Sequence, residues 1–532
     1  MTAHGLELTG RRPAIPGGGP QSVAAVLDRV VAEEPEREAL VGRNGRFTYA
    51  ELDLAANRAA HALRASGVAA GERVAACLPN DVDLVVAFLG AMRLGAIWVG
   101  VNRPLAPPEK AYILRDCGAA LYLANPGEAD AIEAEGEALP DLRRVLRVDP
   151  ADAGCEWTAV LDATSGAPPR AEIDPFAPAA IAYTSGTTGF PKGAVHSQHN
   201  LLLPGAVSRW AGRYDSDVRQ GCVLPLTILN LMVLSPLVAF QLGSCCVAID
   251  RTDPVGLAAW IRDERVGCFA GVPTLFHDLL THPDVEPRDL VSLVSPEVGG
   301  AECPEEFRAL YRERFGRNVT IGYGMTEAPT AVTRSDGRRA PQPGLCGVAL
   351  PQVEIEIRNE RDGRLATGEI GEICVAPASR GPWAGIYTPM LGYWNRPDAT
   401  AEALRDGVYH SGDLGWMEPD GTVFICGRRN ELILRGGANV YPAEVERAIQ
   451  DDSRIAAAAV LGIPDHRLGQ RVVAAVELEP GVEVDESELR EQLLSQLARY
   501  KVPDRIAIVA SLPRNAMSKV VKRELIPLFE AD

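Results

Sequence analysis

Apolar positions in the first part of the chain recur with two different periods. In the segment opened by Phe47-Thr48-Tyr49-Ala50-Glu51, the residues Leu52, Ala55, Ala56, Ala59 and Leu63 fall near one helical face, which predicts a helix starting there. Residues 73–77 read as a short buried strand, 83–94 as a helix and 96–101 as another strand. Strand-like and helical segments keep alternating to about residue 325, the pattern of parallel α/β sheets covered on both faces. The most apolar stretch, 228–249, is interrupted by Asn230, Pro236 and Gln241. A membrane span needs about 20 nearly unbroken apolar residues, so this stretch reads as a buried helix followed by a buried strand.

Between Gly344 and Ala376 the period changes. Val353-Glu354-Ile355-Glu356-Ile357 alternates strictly, and Asp362-Gly363 and Thr367-Gly368 supply turns, so a smaller antiparallel β unit is expected. Further on, proline opens a helix over 442–449 with Val445, Ala448 and Ile449 on one side. Residues 456–461 and 471–477 read as strands. Asp485 with Glu488 resembles a cap, and Leu489, Leu493, Leu494 and Leu497 form the apolar stripe after it. The charged run 428–431, Arg-Arg-Asn-Glu, is the candidate linker. The fold class is therefore α/β. A large N-terminal domain, 1–428, combines parallel α/β sheets with a small β unit, and a small α+β C-terminal domain, 429–532, follows.

Composition narrows the function classes. A chain of 532 residues is too long for one core. With 46% hydrophobic and 23% charged residues, long disorder is excluded. A formal net charge of −18 repels nucleic acid and anionic membranes, so neither is expected as a partner. It also repels anionic nucleotides, so a nucleotide site must supply its own positive potential from backbone N–H groups, a lysine and a metal ion. The 11 cysteines are scattered, without a CxxC pair, as expected for buried free thiols in a reducing cytoplasm. Residues 1–19 show no basic stretch followed by an apolar core, hence no secretory signal, and a cytoplasmic location is expected.

Candidate chemistry concentrates in a few short segments. Behind the apolar residues 179–182 the chain reads Tyr183-Thr184-Ser185-Gly186-Thr187-Thr188-Gly189-Phe190-Pro191-Lys192-Gly193. Glycines let backbone N–H groups converge on an anion, the hydroxyls donate further hydrogen bonds, and Lys192 adds charge. This suits a nucleoside triphosphate and its pyrophosphate product, although the order is not that of a Walker A loop. A plain flexible turn is the alternative. Gly322-Tyr323-Gly324-Met325-Thr326-Glu327 follows an apolar strand. A tyrosine between glycines can lie flat against a base, and Glu327 can hold Mg²⁺; an ordinary strand-end turn also fits. In Tyr409-His410-Ser411-Gly412-Asp413-Leu414-Gly415, Asp413 can accept hydrogen bonds from both ribose hydroxyls or simply close the turn. Gly427-Arg428 stands before the linker. Asn515-Ala516-Met517-Ser518-Lys519 ends in a lone lysine, a residue usually solvated.

Taken together and in this order, these segments resemble the acyl-adenylate-forming superfamily, which includes acyl- and aryl-CoA synthetases, adenylation domains of peptide synthetases and firefly luciferase. The resemblance runs from about Phe47 to Leu525 and includes Gly299-Gly300-Ala301 and residues 512–525. It implies that 184–192 cradle the β- and γ-phosphates of ATP, that Tyr323 stacks on adenine, that Thr326 contacts the α-phosphate and that Glu327 coordinates Mg²⁺. Asp413 and Arg428 would hold the ribose. Gly300, Ala301, Glu302, Gly322, Gly324, Met325 and Ile425 complete the implied nucleotide set. Lys519 would bridge the acid's carboxylate and the α-phosphate, so the implied catalytic group is Lys519, Thr326, Glu327 and Lys192. The C-terminal domain would be a mobile lid with two poses, the second presenting 434–441, with Gly437, beside the incoming thiol. Ile228, Asn230, Leu231, Gly299, Gly300 and Gly322 are the matched positions for the acid.

At 227–231, Thr-Ile-Leu-Asn-Leu, the chain departs from the family it resembles, where an aromatic–histidine pair is usual. An aliphatic pocket wall is expected there, with Asn230 offering one polar contact. Asn430 stands at the hinge, and asparagine tolerates unusual φ/ψ. Ser518 replaces a frequent glycine. The implied reaction is activation of a carboxylic acid to acyl-AMP with release of pyrophosphate, then transfer to coenzyme A. An amide ligase or a carrier-protein loading enzyme would use the same adenylate. A phosphoryl-transfer NTPase and a catalytically dead binding module are the alternatives outside this chemistry. A homodimer is the commonest closed assembly.

Overall fold

The computed structural model describes the chain except residues 1–13, 136–138, 150–151, 153, 170, 185–190, 300–304, 329, 340–341, 436–437, 466, 516–518 and 531–532. The chain divides into two compact units, Met1–Ile355 with Cys374–His410, and Glu356–Ile373 with Ser411–Asp532.

One helix of the first unit starts where the sequence signals it. Thr48 N–H donates to Glu51 Oε2 (2.8 Å) and Glu51 N–H to Thr48 Oγ1 (3.2 Å), a reciprocal capping box. The helix Tyr49–Ala65 then buries Leu52, Ala56, Ala59 and Leu63, with Ala55 half-buried. One sheet of this unit runs Gly392–Tyr393, Lys192–Ser197, Pro178–Thr184, Ile97–Gly100, Arg73–Cys77, Ala119–Ala124, Arg144–Arg147. It is parallel from Pro178–Thr184 onward, and the first two strands run antiparallel.

A second parallel run comprises Ile321–Met325, Glu297–Gly299, Val266–Gly271, Arg219–Cys222, Cys246–Ala248 and Glu38–Gly42. Successive side chains in a strand point to opposite faces. Val247, Val266, Phe269 and Val298 pack with Leu257, Ile261, Phe276 and Tyr311 of three covering helices. Gln220, Cys246, Cys268 and Glu297 alternate with them and so belong to the other face. That face carries the 228–242 segment: Ser235 Oγ donates to Gly221 O (3.1 Å) and lies 3.8 Å from Cys246 Sγ. The expected parallel α/β sheets, covered on both sides, are present.

The stretch 228–249 is a helix followed by a strand, as predicted, with one modification. Helices Leu229–Met232 and Val238–Leu242 flank a π turn, Val233–Leu237, that contains Pro236. Proline lacks the N–H that an α turn needs, and the wider turn absorbs the defect. Strand Cys246–Ala248 follows.

The strand Val353–Arg358 forms where alternation predicts it, but Glu356 is buried rather than solvated. Arg358, at 2.6 Å, and Arg364 pair with it, which makes burial of the charge tolerable. In the second unit a sheet runs Ala438–Val440, Ile433–Arg435, Gly469–Leu478, Ile455–Asp465, with Arg505–Val509 parallel beside Gly469–Leu478. Helix Pro442–Gln450 buries Val445, Ala448 and Ile449. Asp485 caps Glu486–Gln496 by accepting from the N–H groups of Ser487 and Glu488. Leu489 and Leu493 are buried and Leu497 packs against them. Leu494 does not join the stripe: it is 46% exposed, because a residue next to Leu493 is turned away by the helical repeat. Every described cysteine is free and, apart from the half-buried Cys426, buried. Among the described residues no helix is long and apolar enough to cross a membrane.

Candidate active site

In the first unit the glycine- and hydroxyl-rich loop joins two antiparallel strands, Pro178–Thr184 and Lys192–Ser197, with Thr184 paired to Lys192 at its base. Thr184 Oγ1 donates to Lys192 O (3.3 Å). Ser185, Gly186, Thr187, Thr188 and Gly189 lie outside the described residues. Both ends of the loop are held from helix Pro107–Cys117. Tyr183 donates its hydroxyl to Asp116 Oδ2 (2.6 Å), and Tyr112 donates its own to Pro191 O (3.1 Å). Arg396 pairs with Asp116 Oδ1 at 2.7 Å and donates to the Tyr112 oxygen (3.3 Å).

Lys192 meets Glu327 through one tyrosine. Its ammonium lies 4.6 Å from the centroid of the Tyr393 ring, within cation–π range. The Tyr393 hydroxyl donates to Glu327 Oε1 (2.8 Å), and Met390 N–H donates to the Glu327 carbonyl (2.9 Å). Burial, and then the negative charge of Glu327, push the Tyr393 phenol above its ordinary pKa, so it stays a donor. Thr326 and Tyr323 are half-buried, on or just beyond strand Ile321–Met325. His196, on the strand that starts at Lys192, is fully buried. Burial holds it down at about 4, against a smaller upward pull from the Thr326 backbone, so it is neutral at pH 7.

Candidates for the acid gather on the sheet face that carries the π turn. Gly299 and Gly322 are direct partners on neighbouring parallel strands. Among the described residues a Cβ on Gly322 would meet only Thr333 O, at 3.6 Å. Ile228 precedes the one-turn helix of Asn230 and Leu231, and all three are half-buried. Gly100 abuts this segment so closely that a Cβ there would sit 1.8 Å from Thr227 O. Gly300, Ala301 and Glu302 lie outside the described residues.

The second unit carries the remaining candidates. Asp413 and Arg428 face each other across the antiparallel strands Val408–Met417 and Thr422–Arg428. Arg428 Nε is 3.0 Å from Asp413 Oδ1, and the Asp413 side chain is only 4% exposed. Ser411, not the Asp413 carboxylate, closes the local turn: Asp413 N–H donates to Ser411 Oγ (3.0 Å). Gly412 adopts φ +73°, which a side chain disfavours, and its N–H donates to Glu372 Oε1 (2.9 Å). Ile425 is half-buried opposite Gly415. Lys519 is exposed; its N–H donates to Asn515 Oδ1 (3.0 Å), and its carbonyl accepts from Asn515 N–H (2.9 Å). Gly437 and Ser518 lie outside the described residues.

Reading the sequence missed Tyr393, His196 and the pair Tyr112 and Asp116. The one available signal was Gly392-Tyr393-Trp394, a glycine beside aromatics. The others are distant in sequence and become visible only through pairing.

Comparison with known proteins accords with this arrangement. The family model described as AMP-binding enzyme matches residues 27–394, and that of the AMP-binding enzyme C-terminal domain matches 444–519. The chain is 33% identical to a feruloyl-CoA synthase of an Amycolatopsis species, over 90% of this chain and 93% of that protein. It is 31% identical to a long-chain-fatty-acid–CoA ligase of Mycobacterium tuberculosis, over 91% and 94%. The crystal structure of ATP-bound MatB from Rhodopseudomonas palustris superposes with a TM-score of 0.85 at 29% identity, covering 96% of this chain and 99% of that one. The chain belongs to the AMP-binding enzymes of the acyl-adenylate-forming superfamily.

Proposed function

We propose that this protein is an AMP-forming acid–thiol ligase: it condenses a carboxylic acid with ATP to acyl-AMP and pyrophosphate, then passes the acyl group to the thiol of coenzyme A. The observation that carries this reading is the Lys192–Tyr393–Glu327 chain at the base of the glycine- and hydroxyl-rich loop. It places a cation and a carboxylate together, the pair that a triphosphate with its metal requires. Mg²⁺ fits at Glu327. Tyr393 holds one carboxylate oxygen, the other carries no hydrogen bond among the described residues, and a free carboxylate oxygen is a hard ligand. Bound there, Mg²⁺ would supply charge neutralisation on the phosphates.

The residues take the following parts. The loop 184–192 holds the phosphates, Tyr323 the adenine, and Asp413 with Arg428 the ribose. Lys519 offsets the repulsion between the acid's carboxylate and the α-phosphate as charge builds. Residues 429–532 act as the lid that presents it. Coenzyme A is favoured as acceptor because the two curated relatives named above are a CoA synthase and a CoA ligase.

The test is acid-dependent exchange of labelled pyrophosphate into ATP with purified protein, Mg-ATP and a panel of carboxylic acids. Exchange followed by thioester formation on adding coenzyme A is expected. Exchange followed by reaction only with an amine or a carrier-protein thiol would replace the acceptor. ADP or phosphate as product would overturn the reading.

A further inference from the structure

The sheet face beneath the proposed acid site ends in an unusual cluster of cations. Glu297 lies two residues before Gly299 and therefore on the same face. Arg334 is the direct partner of Gly322, which is itself the partner of Gly299. Arg213, Tyr214 and Arg334 all converge on Glu297 Oε1, Arg334 at 3.3 Å. Two guanidinium groups thus share one carboxylate, which leaves a net positive charge. The side chains are shielded, with exposures of 21% for Arg213, 27% for Glu297 and 28% for Arg334.

Donors outnumber acceptors here. Arg213 Nε and Gln220 Nε2 are buried without a hydrogen-bond partner among the described residues, and Gln220 is only 4% exposed. Gln220 Oε1 accepts from Cys268 Sγ on the next strand (2.7 Å), and Gln220, Cys268 and Glu297 share one sheet face. Burial pulls Arg334 down to about 10, with Glu297 opposing and Arg213 and Arg317 adding to the fall. The patch is also far from the proposed chemistry. Gly322, opposite Arg334, stands four residues before Thr326, roughly 13 Å of strand.

We infer that Arg334 and Arg213 form a distal anion subsite, and that the acid this enzyme activates carries a second carboxylate at the end away from the reacting one. This deepens the proposed adenylating function and rests on it. The methylene or aryl spacer would run over Gly322, where among the described residues a Cβ would meet only Thr333 O, along the aliphatic wall of Ile228 and Leu231. The distal carboxylate would accept from the guanidinium groups, a charge-assisted geometry that arginine supplies and a lysine reproduces only in part.

The test is pyrophosphate exchange with α,ω-dicarboxylic acids of increasing length, aliphatic and aryl-spaced, each beside the monocarboxylic acid that bears a methyl in place of the distal carboxylate. The wild type is expected to favour the diacid by kcat/KM at one chain length. Arg334→Met should lower that preference at least about tenfold, through KM for the diacid, with Arg334→Lys intermediate. Preference for the methyl-ended acid at every length would overturn the subsite, and so would an equal fall for both members of each pair in Arg334→Met. Should that variant not fold, the wild-type series still decides. Exchange with no acid at all would count against adenylation itself. Calorimetric titration of the same diacids into folded wild type then reads the subsite alone: binding that Arg334→Met abolishes supports it, and absence of binding overturns it.

Discussion

Tyr393 illustrates how much rests on one oxygen. Its ring faces Lys192 and its hydroxyl holds Glu327, so Tyr393→Phe removes the second contact and keeps an aromatic face for the first. A hydrogen bond to a charged group contributes about 1.5–3 kcal/mol. The KM for Mg-ATP in pyrophosphate exchange should therefore rise about tenfold or more, with a melting temperature lower by no more than a few degrees. An unchanged KM would show that Glu327 needs no such restraint. His196 gives a prediction with a definite sign. Its folded pKa of about 4 lies below its ordinary 6.5, so the unfolded chain binds a proton more readily than the fold does. The stability that comes from keeping it neutral is present above pH 6.5 and is lost as pH falls toward 4. The difference amounts to on the order of 3 kcal/mol. His196→Gln should flatten the fall in stability between pH 6.5 and 4, measured by denaturant unfolding across that window. An identical slope in the variant would assign the acid loss elsewhere. Little of this was legible in the sequence, where His196 stands isolated, Tyr393 is marked only by its neighbours Gly392 and Trp394, and the partners of both lie far along the chain.

Helix Pro107–Cys117 works as a clamp. Tyr112 and Asp116, one turn apart and so on one face, hold the two ends of the glycine- and hydroxyl-rich loop at Pro191 O and the Tyr183 hydroxyl. Asp116 also neutralises Arg396, and its side chain is only 11% exposed. Asp116→Ala would strand a shielded hydroxyl and leave a guanidinium unpaired, a change that costs about 1–3 kcal/mol. We expect KM for ATP and for pyrophosphate to rise about tenfold together, while KM for the acid stays put; a rise in all three would point to general unfolding instead. Local signals of this kind divide sharply in legibility. The strand Arg73–Cys77 and the capped helix at Thr48 stand where the sequence places them, because periodicity and capping act over a few residues. The π turn at Pro236, the burial of Glu356 and the strand Arg505–Val509 were not legible. Each depends on a partner supplied from elsewhere in the fold.

Across the whole chain, a net charge of −18 means that a nucleotide and a carboxylic acid must both be drawn into a negatively charged protein. Local cations have to overcome that field, and they are distributed unevenly: Lys192 and the Arg213–Arg334 patch belong to the first unit, Arg428 and Lys519 to the second. Lys519 differs from the others in how it is presented. It is exposed, and its backbone is bonded to Asn515. Replacing an exposed side chain usually changes stability by no more than about 0.5 kcal/mol, and a melting temperature read beside the kinetics separates a chemical loss from a folding one. If Lys519 serves to offset the repulsion between two anions as the adenylate forms, Lys519→Ala should slow acid-dependent pyrophosphate exchange by about a hundredfold or more, the size of effect seen when one well-placed charge-stabilising donor is removed. The second step has no such need: acyl-AMP is neutral at its carbonyl, and the thiol displaces a good leaving group. Conversion of synthetic acyl-AMP and coenzyme A to thioester should then stay within a few-fold of wild type. Equal losses in the two half-reactions would mean that Lys519 contributes binding common to both, and the division of labour between the steps would fall.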